Sequence, residues 1–463
     1  MSIKPPYWIL VLIPALLPGQ QKTDLQQILE RMDRLEQENR NLAAEVHALR
    51  EEVKVSRAAS PVNSSPGQAG DVDVAAAAPV NTERPPLEER VDIAEQRVQE
   101  LAQTKVQSSQ RLPVTLTGMV LFNAFLNGRA NGGSQDPVLA APADSASGSG
   151  ASLSQSIVGL TFQGPRIFGG GQVNGDLHLD LFGGSTSSLN HLIRLRVATI
   201  RVDWKNQSLV IGQDKPIISP RDPSSLAQVA FSPLTGAGNP WLWQPQARFE
   251  QRFSWGDDMG LRAQAGVYQT SEPTASAAEY VASLATARPA AQGRFLVWKN
   301  LGHGGRIEIA PGFHVSQTHV NGLSVPSRLF STDWMIQPFA KLQWTGMFFT
   351  GENAAGIGAL RQGFTVFSSG SIRPVGTTGG WTQVSYFITH RLTLNAYGGQ
   401  ESNRPSDLLR GEITRNFAYA GNVVYQLGPN VLLGLEASQV RTSYLGSLTR
   451  LANHYDLALA YLF

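Results

Sequence analysis

The sequence predicts an all-β fold: a transmembrane antiparallel β-barrel of sixteen strands, preceded by an N-terminal α-helical coiled coil. Three observations carry this. From Pro113 onward, short segments alternate apolar and polar side chains between clusters of Gly, Asn, Asp and Pro. The segment Ala452 to Phe463 sets Tyr455, Leu457, Leu459, Tyr461 and Phe463 on one strand face against His454, Asp456, Ala458 and Ala460 on the other. At the other end, Lys4 precedes an apolar run from Tyr7 to Leu17 that is too short to span a bilayer as a helix and suits a cleaved export signal.

The signal is placed at residues 1–21, with cleavage between Ala15 and Lys22. A coiled coil over 22–57 follows, because Leu25, Ile28, Met32, Leu35, Asn39, Leu42, Val46, Leu49 and Val53 are spaced alternately three and four apart. Asn39 falls on the seam, where a polar residue costs stability and fixes register and oligomer state. The alternative is an amphipathic helix packed on its own domain. Residues 58–86 are rich in Ala, Ser, Pro, Asn and Gly, the composition of a disordered linker. Leu87, Val91, Ala94, Val98 and Leu101 resume the heptad in a short second helix over 87–108, and the barrel occupies 113–463.

Composition agrees with that division. Of 463 residues 45 are Gly and only 16% are charged, with a net charge of +2, which suits many strands and turns and argues against nucleic acid as a partner. The absence of Cys excludes disulfides, thiol chemistry and a lipoprotein anchor.

Within the barrel region Leu177, Leu179 and Leu181 oppose Asp176, His178 and Asp180, and Phe249, Phe253 and Trp255 oppose Arg248, Glu250 and Arg252. Similar alternation surrounds Arg262, Arg306, Lys341 and Glu436. A soluble sandwich would bury the apolar parity, whereas a membrane barrel turns it to lipid and lines a wet lumen with the charges. The export signal, Phe463 and the Trp and Tyr residues near strand ends favour the barrel. About fifteen strands are legible and bacterial barrels have even numbers. The remaining strand is expected between Gly363 and Gly376, where Phe364, Val366 and Ser368 alternate weakly.

Two features bear on chemistry. The long segment after Leu209, with Lys215, Pro220, Arg221, Asp222, Pro223 and Trp241, exceeds an ordinary loop and is expected to fold into the lumen as a constriction, Arg221 facing Asp222 across the path. A loop resting on the rim is the alternative. From residue 113 on, 25 Lys and Arg, 21 of them Arg, outnumber 20 Asp and Glu. Arg194, Arg196, Arg248, Arg252, Arg262, Arg294 and Arg306 share the lumen parity, so the selectivity set is Arg221, Asp222, Arg194, Arg196, Arg248, Glu250, Arg252, Arg262 and Arg306. Such a ladder favours anionic or hydroxylated solutes unless Glu250, Glu308 and Asp180 neutralise it and the arginines only stiffen the wall. Asp176, His178 and Asp180 read as lumen lining sooner than as metal ligands, and no catalytic constellation, metal site or cofactor is expected.

These features together resemble the DcaP-like trimeric porins. The seam from Leu25 to Val53, the Gly212, Gln213 and Asp214 turn after Leu209 and Val210, and the insertion ending in Asn239, Trp241 and Gln246 carry the resemblance. Gly351, Glu352 and Asn353, the Gly380 and Trp381 pair, and the terminal Phe463 add to it. It implies a homotrimer in the bacterial outer membrane, assembled by the barrel-assembly machinery and contacting outer-membrane lipid, with the coiled coil in the periplasm and small, often anionic solutes diffusing through. Tyr461 and Phe463 would be the C-terminal barrel signal. Passive diffusion without covalent chemistry is the expectation. The alternatives are a structural envelope protein whose coiled coil tethers or spaces the outer membrane, and a membrane hydrolase, for which no lipid-facing Ser and His pair is visible.

Overall fold

The computed structural model describes residues 114–183, 191–270, 289–320 and 323–463. The signal, the coiled coil with its seam Leu25 to Val53, the linker and the second helix lie outside the described residues.

The strands are β1 (Val114–Asn127), β2 (Gly148–Ser152), β3 (Ile157–Arg166), β4 (Gln172–Asp180), β5 (Arg194–Asp203), β6 (Gln207–Asp214), β7 (Gln244–Trp255), β8 (Met259–Tyr268), β9 (Ala290–Leu301) and β10 (Gly305–Val320). They continue as β11 (Leu323–Phe339), β12 (Leu342–Glu352), β13 (Phe364–Val366), β14 (Ile372–Pro374), β15 (Gly376–Phe387), β16 (Leu392–Asn403), β17 (Ile413–Gly428), β18 (Val431–Tyr444) and β19 (Arg450–Leu462). Successive strands pair antiparallel, and β1 pairs β19 to close the sheet. Both β2 and β3 pair β1, one beyond the other, so they form a single interrupted stave and the barrel has sixteen positions. Closure leaves the barrel sheet itself without an open edge strand.

One expectation fails here. Residues 363–376 do not supply a barrel strand: β13 and β14 pair only with each other, in a small separate sheet inside the connection between β12 and β15. Three residues each is far short of the about 9–11 that a spanning strand needs. The stave that took its place in the count is the interrupted one, hidden in the Gly- and Ser-rich stretch around Gly148–Ser156.

The alternation resolves as an inside-out barrel. Phe249, Phe253, Leu435, Leu457, Val267 and Ile309 are exposed on the outside, while Glu250, Gln264, Arg294, Glu308, Asp333 and Glu436 are buried inside. One end of the barrel has short turns, at 256–258, 340–341, 388–391 and 429–430, and near it Trp255, Phe339, Tyr386, Tyr425 and Tyr461 stand exposed as an aromatic ring. Phe463 is exposed beside them, and its backbone exchanges hydrogen bonds with Gly118 at 2.9 and 3.1 Å. Most of the longer connections gather at the opposite end, the longest being 215–243 between β6 and β7.

Candidate functional site: a loop across the lumen and an arginine wall

The connection 215–243 enters the lumen and crosses it. Ile218, Leu234 and Ala237 pack in one apolar cluster with Leu329, Met347, Phe349, Trp381, Tyr397 and Val440, which face inward from β11, β12, β15, β16 and β18. The loop's buried backbone must find hydrogen-bond partners away from water, and inward-facing amides supply them. Gln155 donates to Ala227 O at 2.7 Å and accepts from the Val229 and Ala230 amides at 2.7 and 2.9 Å. Asn416 reaches Gly236 O at 3.0 Å, Asn422 reaches Ser224 O at 2.8 Å and Asn123 reaches Leu226 O at 2.9 Å. At the far wall Gly238 has φ 99°, a conformation that favours glycine, and lies against the Gly380 backbone with no space for a Cβ.

With the loop held against the β11–β18 side, a cavity of about 410 Å³ remains against β5 to β10. Six cationic side chains and three carboxylates line it: Arg201, Lys215, Arg221, Arg248, Arg262 and Arg294 against Asp214, Glu250 and Glu308. Most of the cations are held by acids. Arg294 is buried and grips Asp333 with two bonds of 2.7 and 2.8 Å, its third reaching Gln264 at 2.8 Å. Arg248 contacts Asp214 at 2.9 Å and Glu250 at 3.4 Å. Arg221 pairs with Glu308 and lies 3.3 Å from Asp333, so it ties the loop to β10 and β11.

Asp222 does not face Arg221 across a path. It turns back onto Lys215 of the same loop, within reach of Ser232 and Asn239. Arg306 bonds Glu308 at 2.6 Å and lies over Trp298, and Arg252 contacts Asp203 at 3.6 Å. Arg194 and Arg196 form a separate group: both contact Asp180, at 2.6 and 3.4 Å, and both stack on Trp243. Asp180 is thereby occupied as an anchor for arginines, and among the described residues no group of His, Asp and Glu is placed to hold a metal.

Two arginines lack any such partner. Among the described residues Arg201 and Arg262 make no ion pair and no hydrogen bond, and both Nε atoms are buried without an acceptor. Arg262 also lies directly opposite Arg252 in the β7–β8 ladder. Like charges so placed are destabilising, so the wall carries this arrangement at a cost.

Arg201 escaped the parity argument for a definite reason. The β4–β5 register slips between His178 and Leu179, so Arg196 is an extra residue on β5 and the inward parity changes from even to odd. Arg194 and Arg196 point inward before the bulge, and Thr199, Arg201 and Asp203 after it, opposite Asp176, Asn174 and Gln172. The signal available was Ile200, which breaks the even parity with a large apolar residue next to Arg201.

The fold and its lumen define a porin-type barrel. Its backbone superposes on the outer membrane channel DcaP of Acinetobacter baumannii with a TM-score of 0.60 at 17% identity, covering 76% of this chain and 97% of that one. An anion-selective porin from Comamonas acidovorans aligns at TM-score 0.51 and 14% identity, covering 76% of this chain and 99% of the other. Salmonella typhi OmpF aligns at 0.50 and 9%, with 76% and 97% covered. At these identities the likeness is one of fold. No family model matches the sequence, and no curated relative does.

Proposed function

We propose that the chain is an outer-membrane porin, a homotrimer passing small hydrophilic solutes by diffusion, with anions preferred. In this reading the long-loop end faces outward and the short turns face the periplasm, where the segment preceding the barrel also lies. The observation that carries the reading is the pair Arg201 and Arg262: two guanidinium groups that make no ion pair or hydrogen bond among the described residues, on the open wall of a lumen narrowed by a loop. A fixed fork of donors suits carboxylate and phosphate oxygens, and a guanidinium held in no ion pair or hydrogen bond has its donors available to a passing anion. The paired arginines around them hold their shape and contribute little net charge. The folds of DcaP, a channel, and of the Comamonas protein, an anion-selective porin, support the same reading.

The test is conductance of the purified protein in a planar bilayer under a salt gradient. Steps closing in threes with a reversal potential of anion sign are expected. A cation-sign potential overturns the preference, and a silent membrane with verified insertion overturns the channel.

A further inference from the structure

The outer surface of the barrel carries a groove over β17, β18, β19 and β1 that the channel does not use. It has a volume of about 390 Å³ and is lined by Ala124, Leu126, Gly421, Leu435, Ala437 and Tyr455. The register puts Gly421, Ala437, Tyr455 and Leu126 in that order on one rung, so two adjacent small residues leave a shallow floor beside the bulkier Tyr455 and Leu126. Glu436 and Asp456 also line it, but their carboxylates are engaged on the lumen side, accepting from Asn422 and Asn123. The two acids are thus held by inward-facing amides.

Its long-loop end is polar and basic. One rung on, Tyr419 donates to Gln439 at 2.9 Å and Gln439 donates to Asn453 at 2.8 Å. Arg441 holds its Nε on the Gln439 oxygen at 2.7 Å and its guanidinium 5.9 Å from the Tyr419 ring centroid, about 13 Å along the strand from Ala437. Arg441 is exposed, with no hydrogen bond to its two terminal nitrogens among the described residues, and Arg415 stands exposed on the neighbouring strand. Arg441 is opposite Phe417 and Leu451, and Arg415 opposite Ser402 and Ser443; among the described residues neither has a carboxylate partner. Another outward arginine, Arg328, by contrast, sits opposite Glu352.

We propose that this groove binds one anionic lipid of the outer leaflet, an acyl chain lying along Ala437 and Gly421 and a phosphate held by Arg441 and Arg415. The inference goes beyond solute passage and rests on the proposed membrane orientation alone. Charge complementarity selects the occupant: an apolar channel ending in two uncompensated guanidinium groups matches an acyl phosphate amphiphile.

Native mass spectrometry of the purified full-length protein with added lipid A, dephosphorylated lipid A and phosphatidylcholine tests it. The wild type should retain lipid A about tenfold better than the dephosphorylated form, and R415Q/R441Q should abolish that difference. Ala437→Phe should remove binding of both while leaving bilayer conductance unchanged. Equal retention of the phosphorylated and dephosphorylated lipids overturns the site. A shift of Ala437→Phe to a smaller oligomer also overturns it, because the groove would then be a subunit interface. Conductance, read separately, reports on the channel whichever way the lipid result falls.

Discussion

On the β11–β18 side of the lumen the inward positions include Met347, Phe349, Trp381 and a set of amides, whereas on the β5–β10 side the cavity is lined mostly by arginines and their acids. The first side is a docking surface. It takes the 215–243 loop as a soluble protein takes a core element, by apolar burial with inward-facing amides partnering its backbone at Ser224, Leu226, Ala227, Val229, Ala230 and Gly236. The second side is left wet, and its charges are arranged so that pairing fixes most guanidinium groups and spares two. One barrel thus contains a packed half and an open half, and the lumen cavity is eccentric because the loop belongs to only one of them.

Removing the loop should break this division most severely. Replacing residues 217–239 by a short Gly and Ser linker should raise single-channel conductance several-fold and weaken selectivity, since the Arg221 tie to Glu308 and Asp333 goes with it. Single-channel recording decides this, and unchanged conductance would show that the narrow point lies elsewhere. Next in size is the buried pair of Arg294 and Asp333. Arg294→Met leaves Asp333 enclosed with only the 3.3 Å contact to Arg221, which should cost about 3 kcal/mol. The temperature at which the barrel loses its compact migration in detergent gels should fall, and adding Asp333→Leu should recover part of the loss.

The division between paired and unpaired arginines can be sharpened with two variants. R201Q/R262Q should move the permeability ratio toward unity with little change in step size. R248Q/E250Q removes a cation and an acid together and should leave the ratio near the wild-type value, because the net lumen charge is kept. Reversal potentials read both. If the second pair has the larger effect, shape and not free charge sets the preference.

Much of this arrangement is legible in the sequence, and the illegible parts have physical causes. Strict alternation shows which side chains face inward wherever the ladder is regular, so Arg194, Arg248, Arg252, Arg262 and Arg306 fall where parity puts them. A single bulge at Arg196 hides Arg201, since parity carries no memory across an inserted residue. Pairing is invisible for a different reason: Arg221 and Asp222 are neighbours in sequence, yet each finds its partner elsewhere, on β10 and in Lys215. Whether the long loop lies inside or on the rim did leave a trace. In β12, Met347 and Phe349 face inward while Phe348 faces out, so alternation collapses into an apolar run. A strand apolar on both faces needs two apolar neighbours, and in a barrel the second can only be something in the lumen.

The smallest expected effect lies on the packed side, at the connection between β1 and β2. Asp136 is buried there near His454, at 3.7 Å, and neither of its carboxylate oxygens has a hydrogen-bond donor among the described residues. Burial, reinforced by Asp456 and Glu436, pushes its pKa well above the usual 3.8. A carboxyl raised in the folded state binds its proton more tightly there than in the unfolded chain, so its contribution is full at acid pH and falls as pH rises from the ordinary Asp range through the raised value. The connection should therefore be more resistant to protease at pH 5 than at pH 8 in the wild type. Asp136→Asn, which keeps the shape and cannot ionise, should remove that pH dependence and gain about 1 kcal/mol at the higher pH. Limited proteolysis at the two pH values checks it, and a dependence that survives in the variant assigns it to another group. The arginine wall should be indifferent to this substitution, because none of its ion pairs involves Asp136 or His454.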